Sequence, residues 1–256
     1  MNILLVNEAG CFAPGITALA KALSARHRVV IVAPLHPQYK TGHRLTTSAY
    51  PLRVKQYFVL NKIKIFSVNG TPCDCVTLAL DKILRSKPDL IVAGFSDYYN
   101  RGEALYSSGV VSAAIEGTIQ GIPSIAVSTK TSDASDEKSF QPMANSFVRN
   151  LSYFLKNMPK NTTLNINYPD NFKTGKIICT PLTHDTIDNK YECEVNSFGN
   201  TFYWLKISLM GFPLEVLEQK RDLYWIKKGY TTVTPLKLNL TNDEAIKIVE
   251  RAEIGL

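Results

Sequence analysis

Short unbroken runs of Leu, Ile and Val recur along this chain, and between them lie segments whose apolar residues fall three and four positions apart. The first run, Asn2–Val6, has no polar alternation, which suits a strand buried on both faces. It leads through the polar turn Asn7-Glu8-Ala9-Gly10 into a helical pattern from Ala13 to about Arg26, carried by Ile16, Leu19, Ala20 and Leu23. Pro14 stands at its start, where the missing N–H is no loss. Arg28–Val32 predicts a second buried strand, ending in Ala33-Pro34. Leu52–Leu60 and Ile63–Val68, separated by Asn61-Lys62, predict a hairpin and a candidate flap. Gly70-Thr71-Pro72-Cys73-Asp74 opens a helix, with Thr71 as cap and Asp74 suited to its positive end.

Asp89–Ala93 predicts a third core strand, Gly94–Ser108 a long loop, Gly109–Gly121 a small-residue helix and Ser124–Val127 a fourth strand. Strands and helices alternating in this way predict an α/β fold with a parallel sheet and right-handed crossovers. Ser128–Ser139 reads as a mobile polar stretch, Phe140–Leu155 as an amphipathic helix and Leu164–Asn167 as a strand. Beyond Cys179 the pattern changes to short β-like runs, Phe202–Ser208, Leu223–Ile226 and Tyr230–Val233, before a terminal helix Asn242–Arg251 capped by Thr241 or Asn242. The expectation is one domain over residues 1–256: an α/β core to about residue 180, an extended arm over 181–228, and a terminal strand and helix over 229–256.

Composition narrows the classes. At 45% hydrophobic and 20% charged residues the chain reads as ordinary soluble globular protein. Its apolar runs are too short to span a bilayer, and Asn2–Val6 is too short for a signal-peptide core, so no membrane role and a cytoplasmic location are expected. A net charge of +7 without a run of Lys and Arg gives no support for a nucleic-acid polymer as partner, and suits a small anion. Five cysteines are an odd number for a disulfide framework, and Cys73 and Cys75 are too close for the usual zinc pair.

Three loops leave strand ends on one edge of the predicted sheet: Asn7–Gly10, Leu35–Thr47 and Gly94–Ser108. Glu8 with Asp97 brings two carboxylates to that edge, a hard-oxygen setting for Mg²⁺, Mn²⁺ or Ca²⁺. Ser107-Ser108-Gly109 at a helix start offers N–H groups and hydroxyls to a phosphate. Together they suggest metal-assisted phosphoryl hydrolysis. Each has an ordinary counterpart: Glu8 as a solvated turn residue, Ser108 as a helix cap, His43 as a surface side chain rather than an acid, Tyr98-Tyr99 as a subunit contact rather than a stack on a base.

These residues carry a resemblance. ILLVNEAGCFAPGITALAKAL, VAPLHP, GTPCDCV, PDLIVAGFSDYYNRGEALYSSGVVSAAIEG, GIPSIAVS, LNINYPD, GNTFYW and GYTTVTPL, in that order, resemble the stationary-phase survival protein SurE family of metal-dependent 5′/3′-nucleotidases. The resemblance implies a Rossmann-like three-layer α/β core with a β-hairpin, a C-terminal β-rich oligomerisation arm, and a homodimer or homotetramer. It implies a nucleoside monophosphate or another small phosphate ester as substrate, and Mg²⁺ or Mn²⁺ as cofactor. The family opens on Asn-Asp-Asp-Gly, with both Asp residues on the metal; here Asn7 and Gly10 remain and Glu8-Ala9 replaces the pair. The family's Ser ligand falls at Tyr39, with Thr41 the nearest hydroxyl, and its Asn ligand falls at Ser96. The metal set implied is therefore Glu8 and Ser96 with Asp97 from a shifted position, and the family positions read Glu8, Ala9, Tyr39 and Ser96. Glu8, Asn100 and Ser108 take the catalytic places, and Asn7, Ser107, Ser108 and Gly109 the substrate side. Two other readings stand beside an active nucleotidase with an altered metal site. One is an inactive relative serving as an anion-binding, regulatory or structural subunit. The other is a cleft turned to different chemistry through Tyr39, His43, Tyr98 or Tyr99.

Overall fold

The computed structural model describes all residues except 48–49, 59–62, 171, 174, 185–186, 210–219 and 252–256. Its elements run β1 (Asn2–Val6), α1 (Pro14–Ser24), β2 (Arg28–Pro34), β3 (Val54–Phe58), β4 (Lys64–Val68), α2 (Pro72–Leu78), β5 (Leu90–Ser96) and α3 (Gly109–Ile119). The second half adds β6 (Ser124–Thr129), α4 (Gln141–Lys156), β7 (Thr162–Tyr168), β8 (Ile177–Cys179), β9 (Ile187–Val195), β10 (Thr201–Leu209), α5 (Asp222–Lys227), β11 (Thr231–Lys237) and α6 (Asp243–Arg251).

The apolar runs become the centre of a nine-stranded sheet of order β3-β4-β2-β1-β5-β6-β7-β11-β8. β1 shows why such a run has no alternation. Ile3 and Leu5 face one hydrophobic layer with Ile16, Leu19 and Leu23 of α1 and Phe147 and Leu151 of α4. Leu4 and Val6 face another layer with Val76 of α2 and Val110, Val111 and Ala114 of α3. Each such side chain taken fully out of water stabilises the fold by about 1.5–3 kcal/mol. The result is a three-layer α/β sandwich of the Rossmann-like kind.

The pairs from β4 through β7 are parallel. β11 departs from the expected parallel sheet by lying antiparallel to β7, Val233 opposite Ile166. A parallel neighbour needs a crossover connection. The chain reaches β11 from the separate ribbon and α5 instead, and enters from the other direction.

The predicted hairpin forms, with Val54 opposite Val68, but it is no flap. β4 also pairs with β2, Ile31 opposite Ile65, because Ile63, Ile65 and Val68 belong to the core. The hairpin is therefore one edge of the sheet; Val59, Leu60 and the Asn61-Lys62 turn lie outside the described residues. Leu223–Ile226, expected as a strand, lies within the helix α5, which buries Leu223 and Ile226 three residues apart. Ser128 and Thr129, placed by the pattern in a mobile stretch, are fully buried ends of β6.

One departure matters for the site. β5 continues past Ala93 to Ser96, with a register shift against β6. Gly94 makes this possible: at φ +142° a Cβ there would stand 2.3 Å from the Val127 carbonyl oxygen. The extension carries Ser96 to the end of β1.

β9 and β10 pair with each other, Tyr203 opposite Cys193, and among the described residues with no strand of the main sheet. Tyr191, Tyr203 and Trp204 are all more than half exposed on this ribbon. Its base is held to the core by buried Asp222, which accepts from the Thr183 N–H at 2.8 Å and from the Thr183 hydroxyl. Among the described residues no helix is long and apolar enough to cross a membrane.

Candidate active-site cleft

The cleft lies at the carboxyl ends of β1 and β5 and the amino end of α3, where open parallel sheets hold ligands. Glu8 is its centre and only 3% exposed. Its Oε1 accepts from the Ser96 hydroxyl at 2.7 Å and its Oε2 from the Gly109 N–H at 2.9 Å. Gly109 permits the second contact, since a Cβ there would stand 3.0 Å from Oε2 and 3.2 Å from the Thr41 hydroxyl. Burial pushes the Glu8 carboxyl above its usual value; the bonds from Ser96 and Gly109 and the charge of Lys40 oppose that shift, and Asp97 adds to it.

Ser108 caps α3 by accepting from the Val111 N–H at 3.1 Å and donates to Asn100 Oδ1 at 2.8 Å. Two N–H groups at the start of α3 are thus already used, one by Glu8 and one by Ser108. Asn100 is gripped from below. Its N–H is shared between Asn167 Oδ1 at 2.9 Å and the Ser128 hydroxyl at 3.2 Å. Its carbonyl accepts from Asn165 Nδ2 at 2.7 Å and Asn167 Nδ2 at 3.1 Å. Asn100 Nδ2 is buried and has no partner among the described residues.

Asn165, Asn167 and Ser128 were not singled out from the sequence. The signal for the two asparagines is their spacing of two in β7, which places both on one face of a buried strand.

The remaining expected residues divide. Asn7 shapes the turn, its Oδ1 accepting from the Gly10 N–H at 3.0 Å, while its Nδ2 is buried without a partner. The Ser107 hydroxyl donates to the Ala104 carbonyl at 3.1 Å and its carbonyl accepts from the Gly42 N–H at 3.0 Å. Ala9 contributes a methyl group only. Asp97 is half-buried with Oδ1 unpartnered, and burial pushes its carboxyl up. Its side chain does not bond to Glu8 or Ser96, and it does not line the cleft that those residues share.

Tyr39, Lys40 and Tyr98 form the outer wall. The Tyr39 and Tyr98 rings meet edge to face at 5.8 Å, and burial together with nearby carboxylates holds the Tyr39 phenol up at about 12. The Tyr99 hydroxyl is occupied by the Asp170 N–H at 2.8 Å. The space enclosed is about 10 Å³, room for one water. His43 is not part of this wall. Its Nε2 lies 2.7 Å from Glu116 Oε2, and it lines a separate groove of about 570 Å³ with Leu182, His184 and Leu236. Among the described residues no group of three or more His, Cys, Asp or Glu is placed to hold a metal.

Residues 3–189 match the family model described as Survival protein SurE. The chain belongs to the SurE family. It is 36% identical to the 5′-nucleotidase SurE of Thermoanaerobacter sp. (strain X514) over the whole of both chains. It is 37% identical to the 5′-nucleotidase SurE of Geotalea daltonii, covering 99% of this chain and 100% of that one. The crystal structure of SurE from Aquifex aeolicus superposes with a TM-score of 0.76 at 36% identity, covering 98% of this chain and 100% of that one. The α/β architecture is therefore the SurE fold, and nucleotidase chemistry is the activity that the family membership supports.

Proposed function

We propose that this SurE-family chain binds nucleoside monophosphates in the Glu8–Ser108 cleft, with hydrolysis of the phosphate ester as its reaction. The observation that carries the reading is the Asn100–Ser108 pair. Ser108 orients the Asn100 amide through Oδ1, and the amide's Nδ2 is left buried, on a residue lining the cleft, with no acceptor among the described residues. Burying such a donor unmet costs about 1–3 kcal/mol, which an anionic oxygen from a ligand recovers. Glu8, with its raised carboxyl pKa, is the group able to take a proton from an attacking water. A phosphate needs more room than 10 Å³, and the exposed Tyr39 and Tyr98 rings of the outer wall are the side chains that can move aside for it.

The residues do not fit the divalent cation that the family implies. Ala9 has no donor atom and the Tyr39 phenol is held in its neutral form, so of the four family positions only Glu8 supplies a charged oxygen. One carboxylate remains where the family places two, and no step is assigned to a metal. This donor set favours a second reading, in which the cleft binds the same ligand and turns it over slowly or not at all.

One experiment separates them: nucleotide binding by calorimetry beside phosphate release across a panel of nucleoside monophosphates, for wild type and Ser108→Ala. Release that exceeds the variant's supports the nucleotidase. Tight binding with no release supports the binding protein, and neither binding nor release defeats both.

Self-association is proposed through the β9–β10 ribbon, an isolated pair of strands that would be marginal alone and that exposes Tyr191, Tyr203 and Trp204. A cytoplasmic setting agrees with five free thiols, three of them buried.

A further inference from the structure

Two facts about the cleft pull against each other. It lacks the donors for a divalent cation, yet it holds a buried carboxylate and is to receive a phosphate. A positive charge among these groups offsets both. Among the described residues, one cationic side chain lines the cleft with Glu8, Ser96, Asn100 and Ser108, and that residue is Lys40.

We propose that the Lys40 ammonium stands in for the divalent cation, so that this cleft binds phosphate esters without metal. The inference rests on the phosphate reading above and names the group that supplies the charge.

The loop that carries Lys40 is built into the site. Two residues before it, the Gln38 N–H donates to the Glu8 carbonyl at 2.7 Å; two residues after it, the Gly42 N–H donates to the Ser107 carbonyl at 3.0 Å. Lys40 is thus pinned between the strand end bearing Glu8 and the turn bearing Ser107 and Ser108. Its backbone lies at φ +58°, the left-handed region where a residue with a Cβ is strained and glycine is not. A lysine held there is a reason to look for work done by its side chain. The ammonium lies 5.8 Å from the centre of the Tyr98 ring, at the outer limit of a cation–π contact. The carboxylate it faces in the cleft is Glu8, whose charged form its own charge favours.

An ammonium differs from a divalent ion in what it does next. It supplies one unit of charge and three donors to phosphate oxygens. It does not lower the pKa of a water as a bound metal does. The same substitution therefore sustains binding better than turnover.

The test is calorimetric titration of AMP into the full-length protein, in buffer containing EDTA and in buffer containing Mn²⁺, for wild type, Lys40→Met and Lys40→Gly. Mn²⁺ alone is titrated as a control, and thermal melts confirm that the variants fold. The expected results are the same AMP affinity in both buffers, no heat from Mn²⁺ alone, and affinity weakened by about 10-fold or more in both variants, as for loss of a hydrogen bond to a charged group. Binding that appears or tightens about 10-fold with Mn²⁺ overturns the proposal, as does Lys40→Met with wild-type affinity. Failure of wild type to bind AMP in either buffer overturns the phosphate reading itself, and this inference with it.

Discussion

Replacing Glu8 separates the hydrogen bonds by which it clamps α3 from the charge it carries. In Glu8→Gln the side-chain oxygen still accepts from the Gly109 N–H, and the amide donates to the Ser96 hydroxyl, so both contacts survive with the charge removed. In Glu8→Ala the Gly109 N–H and the Ser96 hydroxyl both lose their partner in a region only 3% exposed at Glu8 and 1% at Ser96. Two hydrogen bonds to a charged group, partly replaced by water, put the loss at about 2–4 kcal/mol. For a chain of this size that is a fall of roughly 4–16 °C in melting temperature. Glu8→Gln escapes that loss. Burial raises the folded pKa of Glu8 above 4.5, so in this region the folded state binds more protons than the unfolded one. Its contribution to stability therefore declines as pH rises from 4.5 through the folded pKa, and the penalty persists above it. Glu8→Gln removes that decline and is at least as stable as wild type at pH 8. The assay is thermal denaturation by circular dichroism between pH 4 and 8 for the three proteins, with EDTA present. If Glu8→Gln melts as low as Glu8→Ala at pH 8, the charge itself is holding the site together and the clamp argument fails.

Ser108→Ala removes the α3 cap and the orientation of Asn100, and is expected to cost about 1 kcal/mol of stability and to weaken AMP binding; unchanged affinity in calorimetry refutes the phosphate role. Asn167→Ala releases one acceptor and one donor under the Asn100 backbone, and should cost about 2–3 kcal/mol in urea denaturation while leaving β9–β10 untouched; a loss below 0.5 kcal/mol, on the order of a surface change, counts against the buried network. Trp204→Glu tests the self-association proposed for the ribbon: it should lower the mass seen in light scattering without lowering the melting temperature of the core, and a mass unchanged from wild type counts against that proposal.

The elements that were legible share one property: their signals lie within a turn or two of chain. Thr71 capping the N–H of Asp74, with Asp74 returning a bond to the Thr71 N–H, is a local motif that needs no tertiary partner. Ser108 as a cap and Pro14 at a helix start are of the same kind. Leu223–Ile226 misled because a four-residue apolar run has no period, and packing under Asp222 turned it into helix.

The site residues were only partly legible for a different reason. Glu8 could be placed at the end of a strand, but its partner Gly109 is 101 residues away and Ser96 is 88. Nor does any local pattern show that the Asn165–Asn167 pair holds the loop at Asn100.

That Ala9 stands where a carboxylate is expected comes from the resemblance to the family. The sequence by itself determined the α/β class and the strand edge on which the cleft lies, because backbone sterics and the period of burial act residue by residue. Only the tertiary structure decided that Glu8 is bonded at both oxygens, that Asp97 does not line the cleft, and that Lys40 stands on its outer wall. Those depend on the order of strands in the sheet and on where Gly94 and Gly109 let chains come close, which no stretch of sequence carries alone.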